Sequence, residues 1–241
     1  MKKHRMPELP EVERARRLVK VCIDKKITKV CCVEQGGGPR GGQFDDKVVR
    51  ATSPSILEGK LRGRQCKDVS RKGKFLWLTF ENDTCLVIHF GMTGSLSVDG
   101  MKRLEYMDFK VDESWPPKYC KFEMVFDNSI RIAMTDARRL GRVELVEHSN
   151  PLGVSPFNKL GNDPIEEPMS SERFLELIRK RSTTLKALLL NQQMVYCGIG
   201  NCTLYLFRSI LVLKEKKLQI QGYVTIYVMK QGYIQLQSVR I

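Results

Sequence analysis

The chain has 241 residues, enough to bury one large core or two modest ones, and its 42% hydrophobic and 28% charged content is ordinary for a globular protein. The charge is not balanced: 41 Lys and Arg against 27 Asp and Glu give a formal net charge of +14. That excess favours a polyanionic partner, with nucleic acid the foremost candidate and acidic proteins, ribosomes and membrane surfaces the alternatives. No run of about 20 apolar residues occurs, so no helical membrane span is expected. The basic start, Met1-Lys2-Lys3-His4-Arg5, leads into no apolar segment and does not read as a secretory signal. The eight cysteines form no C-x-x-C pair, which predicts buried, reduced thiols in an intracellular setting. Cys197, Cys202 and His148 match no common zinc spacing, so no metal is expected.

In chain order, the first predicted element is a helix. Pro10 suits its first turn, Glu11 and Glu13 suit the positive end of its dipole, and Val12, Ala15, Leu18, Val19, Cys22 and Ile23 share one face. Short β-branched or alternating runs follow, at Ile27–Val33, Lys74–Phe80, Thr84–Phe90, Ser95–Val98, Lys121–Phe126, Ile130–Met134 and Arg142–Val146. Tight turns rich in Gly, Asp and Asn separate them, which predicts an antiparallel sandwich or barrel rather than βαβ units. The pattern changes near Asn150-Pro151-Leu152-Gly153. A capped amphipathic helix is expected over Ser170–Arg181, a shorter one over Thr184–Leu190, and another from Cys202 to about Leu213, after the turn Gly198-Ile199-Gly200-Asn201. From Lys214, alternation in Leu218–Val228 and Tyr233–Val239 about Lys230-Gln231-Gly232 reads as a hairpin. The expected fold class is α+β. An extension (1–5) precedes an N-terminal antiparallel β-sandwich with its flanking helix (6–150), a helical domain (151–213) and a divergent tail (214–241).

Five segments carry chemistry. Met6-Pro7-Glu8-Leu9-Pro10-Glu11-Val12-Glu13 opens the first helix, and Arg71-Lys72-Gly73-Lys74-Phe75-Leu76 enters a strand. His89-Phe90-Gly91-Met92-Thr93-Gly94-Ser95-Leu96 is a loop between two glycines, and Thr135-Asp136-Ala137-Arg138-Arg139-Leu140-Gly141 is a basic loop before a strand. The fifth pairs Lys186-Ala187-Leu188-Leu189-Leu190-Asn191-Gln192 with Gly198-Ile199-Gly200-Asn201; glycines there let backbone amides approach an anion. Taken singly, each has a plain structural explanation: a helix lead-in, a strand-end charge, a core Met, a carboxylate-paired Arg or a helix cap. Together, in this order over residues 6–202, they resemble the formamidopyrimidine-DNA glycosylase / endonuclease VIII family, and its zincless branch in particular.

The resemblance implies that Pro7 becomes the N-terminus and that its secondary amine attacks the sugar C1′ of a damaged nucleotide. A free α-amine has a pKa of about 8, so part of it is unprotonated near neutrality, and a secondary amine condenses to an iminium ion. Glu8 would move protons to the sugar ring and leaving group. By the same resemblance, Lys74, Lys186 and Asn201 hold phosphates, Met92 fills the gap left by the extruded base, and Arg138 pairs with the orphaned base. Leu140 occupies the wedge position where the family usually carries Phe; apolar wedges of several kinds unstack a base step. Arg139 lies beside them and is counted with the DNA-binding residues. The helical part would be a helix–two-turns–helix module.

Three features depart from the family. Five residues precede Met6 and six precede Pro7, and a peptide-bonded proline nitrogen is an amide that cannot form an iminium, so activity requires a chain starting at Pro7. Cys202-Thr203-Leu204-Tyr205-Leu206 lacks the acidic residue usual at that place. The 28 residues from Lys214 are few for the rest of the helical module plus a DNA-binding finger, which predicts a truncated or divergent end. The expected function is base-excision repair: a DNA glycosylase with AP lyase (β,δ-elimination) activity on oxidised or ring-opened purines. It would act as a monomer on double-stranded DNA containing oxidised bases or abasic sites, without cofactor, in the nucleus or another DNA-containing compartment. The alternatives are a non-catalytic binder of damaged DNA and a basic ribosome- or RNA-associated sandwich.

Overall fold

The computed structural model describes residues 6–50, 52–102, 104, 114–204, 223–230 and 233–240, the last two ranges by backbone alone. The chain is α+β and divides into two compact units, residues 1–158 and 159–241.

In the first unit, helix α1 (Leu9–Val19) begins at Glu8, whose N–H donates to Glu11 Oε2 at 3.0 Å in a capping box. Strand β1 (Ile27–Cys31) and the short β2 (Val49–Arg50) precede α2 (Pro54–Leu61). Then come β3 (Cys66–Lys72), β4 (Phe75–Phe80), β5 (Thr84–His89), β6 (Ser95–Val98), β7 (Cys120–Phe126), β8 (Arg131–Thr135) and β9 (Arg142–Glu147). They form a four-stranded sheet ordered β1-β7-β8-β6 and a five-stranded sheet ordered β2-β9-β5-β4-β3. Pairing is antiparallel except between β2 and β9, which run parallel. The parallel pair is possible because β2 reaches β9 across a long segment rather than a tight turn.

One hydrophobic cluster draws on both sheets: Leu76, Leu78, Phe80, Leu86 and Ile88 from one, Phe122, Met124, Phe126, Ile132 and Met134 from the other. Val12, Ala15 and Val19 of α1 and Leu57 and Leu61 of α2 complete it. Each fully buried side chain of this size contributes about 1.5–3 kcal/mol. Helix α1 packs on β3, β4 and β6, and α2 on β1. Three elements went unread in the sequence, the two-residue β2 among them. Strand β3 is mostly polar, with only Cys66, Val69 and Arg71 buried, and α2 buries only two residues, although Ser53 and Pro54 form an ordinary helix start.

The second unit holds α3 (Ser171–Arg179), α4 (Leu185–Leu190), a helical turn at 201–204 and an antiparallel hairpin of β10 (Tyr223–Lys230) and β11 (Tyr233–Arg240). Ser170 and Thr184 cap the two helices, accepting from the N–H groups of Arg173 and Ala187. Phe174, Leu188, Val195, Tyr196 and Ile199 form a separate core. The rest of the helix expected from Cys202 to Leu213, and the expected strand start at 218–222, lie outside the described residues.

The α1 helix is fastened by charge as well as by packing. Glu13 accepts from Arg16 at 2.8 Å, Arg17 at 2.7 Å and the buried Arg71 of β3 at 2.8 Å. Burial opposes the charge on Glu13, but the three guanidinium groups overcome it and hold the carboxyl down at about 2. A depressed carboxyl stabilises the fold above its unfolded pKa and loses that contribution as pH falls through the folded value. Glu13→Gln is therefore expected to lower unfolding free energy at pH 7 by about 3 kcal/mol. Denaturant titrations should show the gap to the unchanged protein closing as pH falls from about 4.5 towards 2; a gap that does not vary over that window would contradict this role.

Candidate functional site

Three of the expected segments meet at one end of the five-stranded sheet. Lys72 pairs with Phe75, so Gly73 and Lys74 form the two-residue turn between β3 and β4, with Gly73 at φ 57°. Phe75 faces His89 at the end of β5, and His89 faces Arg142 at the start of β9. The turn Phe90–Gly94 leaves from that row, and residues 136–141 lead back into it. At the matching end of the other sheet, Ser95 pairs with Thr135, so both loops pass from one sheet to the other.

Asp136 joins these loops. It is buried, and its Oδ1 accepts from Thr93 Oγ1 at 2.5 Å and from the Arg138 N–H at 3.2 Å, while Oδ2 accepts from the Gly141 N–H at 2.6 Å. Gly91 has φ 60° and its Cα lies so close to Leu140 that a Cβ there would meet the Leu140 carbonyl at 2.4 Å. Only glycine fits that crossing. Held in this way, Met92 and Leu140 stay 38% and 42% exposed, and Arg138 is exposed between the loops' ends. Large apolar side chains left in water by a rigid support are a contact surface in waiting. Arg139 differs from its neighbours: its guanidinium forks onto Asp45 at 2.7 and 2.9 Å.

The row behind the loops is cationic. His89 packs against Phe75 with ring centroids 4.8 Å apart and tilted by 43°, and its Nδ1 accepts from the Gly91 N–H at 3.1 Å, which leaves Nε2 as the N–H of a neutral ring. Burial, then the charges of Arg142, Lys74 and Arg50, push its pKa down to about 4. A neutral donor among three cations suits an anion, and His89 is the residue whose part sequence reasoning missed. Its place at the strand end before the Gly91 turn was the available signal.

Pro7 is buried and directly precedes the α1 cap formed by Glu8, itself 1% exposed. Glu8 stands about 7.5 Å of helix rise from Glu13, the residue that ties α1 to β3 just before the Lys74 turn. In the second unit, Lys186 is exposed in the first turn of α4, and Asn201 is exposed at the start of the 201–204 turn. Gln192 organises that segment. Its Oε1 accepts from the Gly198 N–H at 2.7 Å, and its Nε2 donates to the Leu190 and Ile199 carbonyls, both at 2.9 Å. Gly198 sits at φ 92°.

Among the described residues no cluster of three His, Cys, Asp or Glu side chains is placed to hold a metal. Burial pushes the Cys32, Cys66 and Cys120 thiols up to about 12, which keeps them inert. No described helix is long and apolar enough to cross a membrane.

The fold and this loop-built sheet end define an α+β protein with a cationic surface in its first unit. Residues 6–143 match the formamidopyrimidine-DNA glycosylase N-terminal domain, and the chain belongs to that family. It is similar to a formamidopyrimidine-DNA glycosylase of Arabidopsis thaliana, 38% identical over 199 residues, covering 81% of this chain and 48% of the relative. A formamidopyrimidine-DNA glycosylase of Desulforamulus reducens is 32% identical over 198 residues, covering 81% of this chain and 63% of its own. The chain thus spans between about half and two thirds of the length of these relatives. Among solved structures, a complex of the Lactococcus lactis protein with a Fapy-dG-containing DNA is similar, with TM-score 0.59 and 28% identity over 80% of this chain and 64% of that one. A complex of the same bacterial protein with abasic-site DNA gives 0.58 and 27%, covering 80% of this chain and 64% of that one.

A buried, cation-flanked His89 has a titration to match. Its proton is disfavoured in the fold, so the unfolded chain takes it up first and stability falls as pH drops from about 6.5 towards 4. Proton NMR of the imidazole is expected to show a midpoint near 4; a midpoint near the ordinary value of about 6.5 would contradict the packing.

Proposed function

We propose that the chain is a DNA glycosylase with AP lyase activity on oxidised or ring-opened purines in duplex DNA. The observation that carries this is the pair of cross-linked loops presenting Met92, Arg138 and Leu140 together at the cationic end of the five-stranded sheet. Family membership supports the same choice, and the titles of similar structures name DNA containing Fapy-dG or an abasic site.

In this function the two sheets stack as a sandwich over residues 6–150, and residues 151–213 supply a helix–two-turns–helix module, with 214–241 as a divergent end. The target nucleotide leaves the stack. Met92 and Leu140 fill and wedge the gap, and Arg138 takes the orphaned base. Lys74, Lys186 and Asn201 hold phosphates around the flipped nucleotide, with the helix start near Gly200 favouring negative charge. Processing exposes Pro7 as the N-terminus. Its nitrogen lone pair forms the bond to C1′ as the base departs with a proton supplied through Glu8. Loss of the proton on that nitrogen and cleavage of the C1′–O4′ bond, with O4′ protonated through Glu8, give the iminium. It draws off electrons as protons leave C2′ and then C4′ and the flanking phosphates depart by β- and δ-elimination. These steps require no metal or organic cofactor. The protein acts as a monomer in the nucleus or another DNA-containing compartment.

A second function has its own support. While Met6 stays attached, the Pro7 nitrogen is a buried amide and the chain can bind damaged DNA without cutting it.

Borohydride trapping on a duplex containing an oxidised purine separates the two. A chain starting at Pro7 is expected to give a covalent protein–DNA adduct, and a chain starting at Met1 none. Absence of an adduct from the Pro7 start overturns the catalytic function; if that chain still prefers damaged over intact duplex, the binding function stands instead.

A further inference from the structure

Arg139 stands between Arg138 and Leu140, yet it faces the opposite way. Its two neighbours are exposed, while its own side chain is 26% exposed and meets an aspartate that is fully buried. Asp45 receives Nε and Nη2 in a parallel fork, at 2.7 and 2.9 Å. That geometry matches a guanidinium to a carboxylate and fixes orientation as well as distance. Asp45 has a further partner in Lys121, 3.1 Å away and 1% exposed, which also pairs with the buried Glu34. Two carboxylates and two cations therefore neutralise one another inside the first unit.

The network is attached at every corner. The Asp45 carbonyl accepts from the Val48 and Val49 N–H groups, and Val49 begins β2, which pairs with β9 just after the loop. Lys121 lies on β7, beside β8, which enters the loop. Glu34 accepts from the Arg40 N–H at 3.0 Å and so gathers the glycine-rich segment. Arg139 itself is at φ 59°, in the left-handed region that side chains disfavour. A residue keeps such a conformation when its surroundings impose it. Turning the backbone there sends Arg139 inward and throws Arg138 and Leu140 outward.

We infer that Arg139 is a positioning residue, clamped by Asp45 and Lys121, which sets how Arg138 and Leu140 project and so governs discrimination of the base opposite the lesion. Its Nε–Nη2 edge is committed to Asp45, so its charge is matched there by a buried carboxylate rather than by a DNA phosphate. This inference rests on the proposed DNA-repair function and assigns a cause to the specificity of that same surface.

The test is equilibrium binding of the full chain to duplexes carrying an abasic-site analogue opposite C, A, G or T, each measured over a range of salt. The unchanged protein is expected to show a spread of about tenfold or more between best and worst opposite base, within what one base-edge contact provides. Asp45→Asn and Arg139→Lys are both expected to reduce that spread to below about threefold, although the second keeps the charge. Arg139→Gln should leave the salt slope unchanged, whereas loss of a phosphate contact would lower it by about 0.9. Arg139 is partly exposed, so Arg139→Lys gives an answer even if Asp45→Asn does not fold.

A retained spread in folded Arg139→Lys, or a reduced slope in Arg139→Gln, overturns the inference. So does an unchanged protein that binds the lesion equally well opposite all four bases. Failure of the unchanged protein to prefer damaged over intact duplex is a different result: it removes the proposed function, and this inference falls with it.

Discussion

The buried carboxylate of Asp136 is the point on which the candidate site depends. A loop that must expose Met92, Arg138 and Leu140 to water has little apolar burial of its own to order it. Asp136 supplies that order with one hydroxyl and two backbone N–H groups, drawn from both loops. Hydrogen bonds to a charged acceptor are stronger than neutral ones, and inside a protein they carry a high penalty when left unmade. Around this point the chain then accepts other constraints: glycine at 91 against the Leu140 carbonyl, and a left-handed Arg139.

The sheets explain why those loops meet at all. Residues 90–94 and 136–141 each cross between the five-stranded and four-stranded sheets at the same end, because Ser95 pairs with Thr135 while His89 pairs with Arg142. The Lys74 turn opens from the next strand along. Charge follows the same geometry. Lys74, Arg142 and Arg50 all act on His89, whose burial keeps it neutral. Asp136 and Asp45 at this end are buried, the first on a hydroxyl and backbone N–H groups and the second on Arg139 and Lys121. A net +14 for the whole chain agrees with that local arrangement.

Much of this was legible in the residues. Strand Ser95–Val98 was bounded as observed, and β5, β8 and β9 within a residue at each end, because tight turns of Gly, Asn and Asp enclose short apolar runs. Helices α3 and α4 announced themselves through Ser170 and Thr184. Strand β3 was not legible, since its ladder is satisfied by polar residues whose one buried charge, Arg71, is matched by a glutamate 58 positions away. The parallel β2–β9 pair was likewise hidden, being two residues long and set by partners remote in sequence. In the site, the motifs located every loop, but side-chain direction was beyond them. Arg138 and Arg139 are identical letters in sequence, and only the distant Asp45 and Lys121 distinguish the one facing water from the one facing inward.

In the proposed function, if Asp136 makes the two loops one platform, Met92 and Leu140 act on DNA jointly. A double-mutant cycle on Met92→Ala and Leu140→Ala, read as affinity for a duplex with an abasic-site analogue, measures this coupling. The expected result is a coupling of about 0.5 kcal/mol or more that vanishes when the cycle is repeated in an Asp136→Asn background. Additive losses in the unchanged background, or the same coupling with and without Asp136, would contradict the account.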